Sequence, residues 1–350
     1  MFRNSLTLLP LLAGLATAQT IQPPFVGHYT LVDLGVPTGV PTAAGGLTIS
    51  AADPNQLLIA GRANSAQGAV FSVPVQRDAQ GHIVGFAGTA TTVSTAPSVD
   101  GTLVYGPGNV LFYSRYPSTA FAQVRPGSQT ADKLTDLAPF GVGNSVSSIN
   151  FVPAGYPGAG RCKIAMFPNG QWWDVTLTPD GLGSFNAAAA TQVVGSLIPG
   201  APEGFAYVPL GSPLFPFPSM VVTEWNNSSI VAYTLDAEGN PKPATRSVIA
   251  SGLGSVEGSS FDPVSGDLLV MKFSTAHLYI IRGFGPQSCT ANCDGSVTPP
   301  ILNANDFQCF LNAFAAGSPA ANCDASTVAP VLNANDFQCF LNKFAQGCAQ

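Results

Sequence analysis

Ser259-Ser-Phe-Asp-Pro263, Asp267-Leu-Leu-Val-Met271 and His277-Leu-Tyr-Ile-Ile281 are three short, largely apolar runs separated by turn residues, the first ending in proline. Runs of this length, bounded by Gly, Pro, Asp and Ser, read as β-strands. The same order recurs upstream. Segments ending in proline stand at Ile49 to Pro54, Val104 to Pro107, Ile149 to Pro153 and Phe205 to Pro209, and the five prolines are 53, 46, 56 and 54 residues apart. A second strand follows each one, at Gln56 to Ala60, Asn109 to Tyr113, Cys162 to Met166, Met220 to Thr223 and Asp267 to Met271. Third strands follow at Ala69 to Val73, Trp172 to Leu177, Ser229 to Leu235 and His277 to Ile281.

A fourth strand completes the first four units, at Ala90 to Ser94, Lys133 to Leu137, Gln192 to Leu197 and Ser247 to Leu253. The fifth unit lacks one, and an unmatched strand, His28 to Leu34, precedes the first unit. Four-stranded units repeating at about 50 residues describe propeller blades. The spare N-terminal strand is expected to complete the last blade and so remove exposed sheet edges. The sequence thus predicts a mainly β protein, a five-bladed β-propeller over residues 25–285. A six-bladed ring is the alternative, because Gly/Pro-rich stretches can hide a degenerate blade.

Composition agrees with many short strands. Charged residues are only 9% of the chain, hydrophobic residues 46%, and there are 37 Gly and 30 Pro. This balance excludes disorder and long polar-faced helices. A net charge of −6 with no Lys/Arg cluster argues against a nucleic-acid partner. At the N-terminus, Arg3, an apolar stretch from Leu6 to Leu15 and Ala16-Thr17-Ala18 predict a cleaved signal peptide over residues 1–18. The run is too short for a membrane anchor, which needs about 20 apolar residues. The expected location is extracellular or at the cell surface, with no transmembrane segment in the mature chain.

The last sixty residues hold an internal duplication. Residues 292–317 and 322–347 agree at 19 of 26 positions, and six of the seven cysteines lie between Cys289 and Cys348. Asn292, Asp294 and Ser296 have the alternate spacing by which a loop turns oxygens toward one calcium ion, and Asn303 and Asp306 follow at the start of a helix. The second copy offers Asn322, Asp324, Ser326, Asn333 and Asp336. After each loop an apolar stripe at helical spacing follows: Phe307, Phe310, Leu311 and Phe314, then Phe337, Phe340, Leu341 and Phe344. The two stripes are expected to bury each other. A plain helix pair capped by Asn303 and Asn333 is the competing reading.

This duplicated Asn-Cys-Asp-x-Ser, the duplicated Leu-Asn-x-Asn-Asp-Phe-x-Cys-Phe-Leu and the terminal Gly347-Cys348 resemble the dockerin domain, in its cysteine-bearing bacterial variety. The resemblance covers residues 289–350 and implies calcium as cofactor and a cohesin-like receptor or surface scaffold protein as partner. The segment departs from the ordinary dockerin in a 15-residue loop from Asn292 to Asp306 and in Asn and Ser at positions that are commonly acidic. Six cysteines permit 15 pairings. Cys309 points away from the phenylalanine stripe, which leaves its own loop as partner; the expected set is Cys293–Cys309, Cys323–Cys339 and Cys289–Cys348, with symmetric exchange between the repeats as the alternative. Cys162 is expected to be a buried unpaired thiol.

In the propeller, loops entering the innermost strands and loops joining second to third strands share one face. Glu203 and Glu257 occupy equivalent places there, each followed by Gly; the corresponding positions in the other units are read as Thr48, Gly101 and Ser147. Glu224, Trp225 and Asn226 belong to the other loop class. Together these residues predict a site for a cation or a glycan. The Glu-Gly pairs resemble those opening the gluconolactonase-like propellers, over a few residues only. No nucleophile-base constellation can be assigned from the sequence. The leading expectation is a non-catalytic binding or structural propeller delivered by its tail. The alternative is a carbohydrate-active hydrolase or lactonase, which a third carboxylate in a cleft beside Glu203 and Glu257 would favour.

Overall fold

A computed structural model describes residues 19–284, 291–296, 302–324 and 326–346 of the chain. The signal peptide expected over residues 1–18 and the Cys289–Cys348 pairing lie outside the described residues.

Two N-terminal strands, β1 (Thr20–Ile21) and β2 (Thr30–Gly35), precede the repeats. The first group contains β3 (Leu47–Ile49), β4 (Gln56–Gly61), β5 (Ala69–Arg77), β6 (Ile83–Phe86) and β7 (Thr91–Thr95), with β6 and β7 both paired to β5. The second is β8 (Val99–Tyr105), β9 (Leu111–Arg115), β10 (Ala120–Val124) and β11 (Lys133–Asp136). The third is β12 (Ser145–Phe151), β13 (Cys162–Phe167), β14 (Trp172–Pro179) and β15 (Phe185–Gln192). The fourth is β16 (Pro202–Tyr207), β17 (Ser219–Glu224), β18 (Ser229–Thr234) and β19 (Ser247–Ser251), and β1 adds to its outer edge. The fifth is β20 (Val256–Phe261), β21 (Leu268–Lys272) and β22 (Leu278–Arg282).

The fifth group takes its outer strand from the other end of the repeats: β2 pairs antiparallel with β22, Thr30 opposite Arg282 and Val32 opposite Ile280. Tyr29 anchors the approach by donating its hydroxyl to the Pro213 carbonyl, and its ring packs on Phe284, centroids 4.5 Å apart. The spare strand therefore does what the sequence requires of it.

Between neighbouring groups the inward faces bury apolar side chains, and these clusters form a closed circuit. Leu58, Val70, Leu103 and Tyr113 join the first group to the second, and Phe112, Phe121, Ile149 and Ile164 the second to the third. Trp172, Phe205, Met220 and Tyr233 join the third to the fourth, and Val221, Ile230, Leu268 and Tyr279 the fourth to the fifth. Leu57, Ile59, Met271 and Ile280 return from the fifth to the first. Each first strand faces the common centre, giving a β-propeller-like fold. Cys162 is a free thiol, 2% exposed, and burial pushes its pKa far up, which makes it inert packing.

The tail holds α1 (Ala304–Ala315) and α2 (Ala334–Gln346). Phe310 and Phe340 stack with centroids 4.1 Å apart, and Phe307, Phe314, Phe337 and Phe344 pack around them, so the two stripes do bury each other. Cys293–Cys309 and Cys323–Cys339 are bonded within their own repeats. These bonds fit an oxidising compartment. Among the described residues, no helix is long and apolar enough to cross a membrane.

Candidate functional site at the centre of the strand ring

Glu203 and Glu257 meet at the centre of the ring, and a third carboxylate, Asp100, joins them. One carboxylate oxygen from each lies within 4.8 Å of one from each of the others. The three residues are 5%, 1% and 1% exposed, respectively for Glu203, Glu257 and Asp100. Each comes from the first strand of a different group: Asp100 from β8, Glu203 from β16 and Glu257 from β20.

A register irregularity aims each of them inward. Pairing of β16 with β17 jumps between Pro202 and Gly204, which brackets Glu203; that of β20 with β21 jumps between Val256 and Ser259, bracketing Glu257. In β8 the jump spans Val99 to Leu103 and frees Asp100. A bulge inserts extra residues on one strand and re-aims a side chain that regular pleating would send elsewhere. The same device in β12, between Val146 and Ser148, turns Ser147 toward the fourth group, where its hydroxyl donates to the Pro202 carbonyl at 2.6 Å.

Glycine beside each carboxylate lets the backbones converge. A Cβ on Gly101 would stand 2.1 Å from the Glu203 carbonyl oxygen, and one on Gly258 would stand 2.6 Å from the Gly46 Cα. No side chain fits either gap. Gly46 in turn donates its N–H to the Asp100 carbonyl at 2.8 Å, and the Thr223 hydroxyl donates to the Glu257 carbonyl.

The carboxylates themselves are short of partners. With its amide nitrogen facing inward, Asn64 donates to Asp100 Oδ1 at 2.9 Å. Asp100 Oδ2, Glu203 Oε2 and both oxygens of Glu257 are buried with no hydrogen-bond donor. Burial pushes Asp100 up to about 7. Glu203 and Glu257 are driven well above the usual carboxylate range, first by burial and then by the neighbouring acids. Three ionised carboxylates this close in a low dielectric require either protons or a cation. An all-oxygen anionic set of this kind fits a hard divalent cation.

The other residues expected at this site go elsewhere. Glu224, fully buried, receives Arg246 Nε at 2.8 Å and Nη2 at 2.6 Å, together with Asn227, Ser229 and Tyr233. It is a structural ion pair within the fourth group. Trp225 lies edge-on against Phe273, centroids 5.3 Å apart, and Asn226 is an exposed turn residue whose N–H donates to Gly200. Two histidines to which the sequence assigns no site, His82 and His277, also pair with carboxylates, Asp267 at 2.7 Å and Asp33 at 2.9 Å. Asp100 was missed because Gly101 takes the place of Glu203 when the repeats are aligned by their prolines; the Val-Asp-Gly here, beside Pro-Glu-Gly and Val-Glu-Gly, carries the signal.

Away from the centre, a cleft of about 860 Å³ is lined by residues that include Arg161, Asp174, Leu177, Phe185, Asp236 and Glu238.

In the tail, the two loops are built alike. Asp306 and Asp336, both fully buried, accept the N–H groups of Asp294 and Asn303 in the first loop, and of Asp324 and Asn333 in the second. Asn303 and Asn333 cap the helices, accepting from the N–H groups of Asn305 and Asn335. Asn292 and Asn322 donate to the carbonyls of Ser296 and Ser326 and so fold the loops back. Hydrogen bonds from backbone N–H groups hold Asp294 and Asp336 below the usual carboxylate range. Asn292 Oδ1 is buried without a partner. With the carboxylates of Asp294 and Asp306 in the same loop, that orphaned oxygen fits a calcium ion.

No protein-family model matches the chain, and no curated protein matches it. Solved structures resemble it in outline. A family AA12 carbohydrate-active enzyme of Trichoderma reesei is 10% identical over 76% of this chain and 97% of its own, with a TM-score of 0.43. A gluconolactonase of Xanthomonas campestris is 11% identical over 75% and 94%, TM-score 0.42. Myxococcus xanthus glutaminyl cyclase is 11% identical over 73% and 96%, TM-score 0.43.

Proposed function

We propose that this is an exported, non-catalytic binding protein: a five-bladed propeller closed by its own N-terminal strand and carried to a cohesin-like receptor or surface scaffold by a dockerin-like tail that binds calcium. The observation carrying the non-catalytic reading is the burial of the three central carboxylates, whose unpartnered oxygens have no contact with solvent. A general acid, base or nucleophile must reach the bond it acts on. Support for five blades comes from the circuit of interface clusters, which passes through five strand groups and returns to its start. Support for the tail comes from its duplicated loops and the orphaned Asn292 oxygen. A glycan ligand of this protein belongs in the 860 Å³ cleft, where charged groups and Phe185 are within reach.

The hydrolase or lactonase reading has one observation in its favour, the third carboxylate beside Glu203 and Glu257. Their spacing falls at or below the roughly 5–9.5 Å that separates glycosidase carboxylates, and they lie inside the ring instead of lining a cleft. Screening the full chain against polysaccharides and lactones decides between the readings, with Glu203→Gln and Glu257→Gln as controls. No turnover is expected. Turnover abolished by either substitution makes the protein an enzyme. Glycan binding that survives both and is lost in Asp236→Asn with Glu238→Gln places the ligand in the cleft.

A further inference from the structure

We propose that Asp100, Glu203 and Glu257 together hold one divalent cation of the calcium class, which fastens the second, fourth and fifth strand groups to one another at the centre of the ring. This goes beyond the attachment reading and stands whether or not the tail binds calcium.

The cluster is more than an accumulation of acids. Glu257 is 1% exposed, neither of its oxygens has a hydrogen-bond partner, and one of them lies within 4.8 Å of an oxygen of each of the other two carboxylates. Three separate strands depart from regular pairing to present these side chains, and glycines close the backbone around them. Asn64 gives Asp100 an N–H donor, which favours the ionised carboxylate over a protonated one. A buried set of this kind, left without a cation, carries mutual repulsion that burial amplifies. A divalent ion removes two of the three charges at once.

The donors select the ion. Oxygen-only, carboxylate-rich ligation suits calcium, magnesium or manganese rather than zinc, which takes nitrogen and sulfur readily. Magnesium keeps several of its waters, whereas calcium accepts irregular cages of protein oxygens. A site whose oxygens are closed to solvent therefore fits calcium better. Because the ligands come from three groups that are far apart in sequence, the ion binds only the folded ring and stabilises it by mass action.

The test uses the full chain carrying Asp294→Asn, Asp306→Asn, Asp324→Asn and Asp336→Asn, which removes all four tail carboxylates from the count. Elemental analysis after calcium loading and gel filtration is expected to find one calcium per chain. Prolonged chelation should lower the melting temperature of the propeller by several degrees, and calcium should restore it. Adding Glu257→Gln should abolish both the retained calcium and the calcium response; Asp100→Asn serves if that protein does not fold. Zero retained calcium in the tail variant, with a melting temperature indifferent to chelator and calcium, overturns the proposal and leaves the carboxyls neutralised by protons. Such a result would leave attachment through the tail standing.

Discussion

Glu224 and Arg246 show how a functional-looking residue becomes a structural one. In sequence, Glu224 sits beside Trp225 and Asn226 at the end of a strand and looks like part of a loop site. Its real partner is 22 residues later, and nothing local announces a buried bidentate pair. Arg246→Ala should cost about 3–5 kcal/mol, since it strands a charge inside the fourth group. Chemical denaturation measures this, and a loss under about 1 kcal/mol would mean that the remaining donors satisfy Glu224 unaided. A surface pair behaves differently. Arg125 hydrogen-bonds Asp132 and holds it down at about 2. A carboxylate lowered in the folded state lends stability above its unfolded pKa and loses it as pH falls through the folded value, here about 2. Arg125→Ala should return Asp132 toward the ordinary carboxylate range in an NMR titration, and the stability loss at neutral pH should be small because water screens this exposed pair. An unmoved Asp132 would assign the shift to its other donors, the Arg125 N–H and the Ser128 hydroxyl. Asp100 was hidden for a third reason. Proline spacing fixes where a strand lies but not where its bulge falls, and a one-residue slip exchanges one face for the other.

Strand β2 was legible because it was surplus: a short run of Thr, Leu, Val, Asp and Leu with no partner in its own unit, matched by a fifth unit short of one strand. The extra strands were less visible. β6 pairs with β5 beyond the reach of β7 and has no counterpart in the other groups, so the repeat does not announce it, and β1 is only two residues long, too short for a pattern. The consequence for stability is specific. Removing residues 19–35 exposes the whole edge of β22 and also takes away Phe25 and Tyr29, which seal the fourth and fifth groups. That truncation should abolish cooperative unfolding or drive aggregation, since an open apolar edge is a template for pairing between chains. Replacing the β6 segment with a short Gly/Ser turn should leave a folded monomer. Size-exclusion and thermal melts compare the two, and equal tolerance of both changes would show that β2 does not close the ring.

Across the chain, a repeat near 54 residues and a composition poor in charge were enough to read a ring of small sheets, because each sheet must bury both faces against its neighbours and only closure supplies a neighbour for every one. The tail was legible for the opposite reason, strong local patterning within sixty residues, down to the two disulfides inside the described part. What the repeated sequence conceals is that its two loops are not equivalent. In the second, Asn322 Oδ1 already accepts the Ser326 N–H at 3.0 Å; in the first, Asn292 Oδ1 is buried with no donor. An ion entering the second loop must displace or share a hydrogen bond that the first loop never makes. One such bond is worth about 0.5–1.5 kcal/mol, so the first loop should bind calcium about 2- to 10-fold more tightly. Calorimetric titration of the full chain, with Glu257→Gln to empty the central cluster and either Asp306→Asn or Asp336→Asn added, isolates each loop, and Asp306→Asn should remove the tighter event. Equal affinities in the two variants would show that the Asn322 bond opens at no cost, and no binding event lost in either would return Asp306 and Asp336 to the task of holding the helix ends.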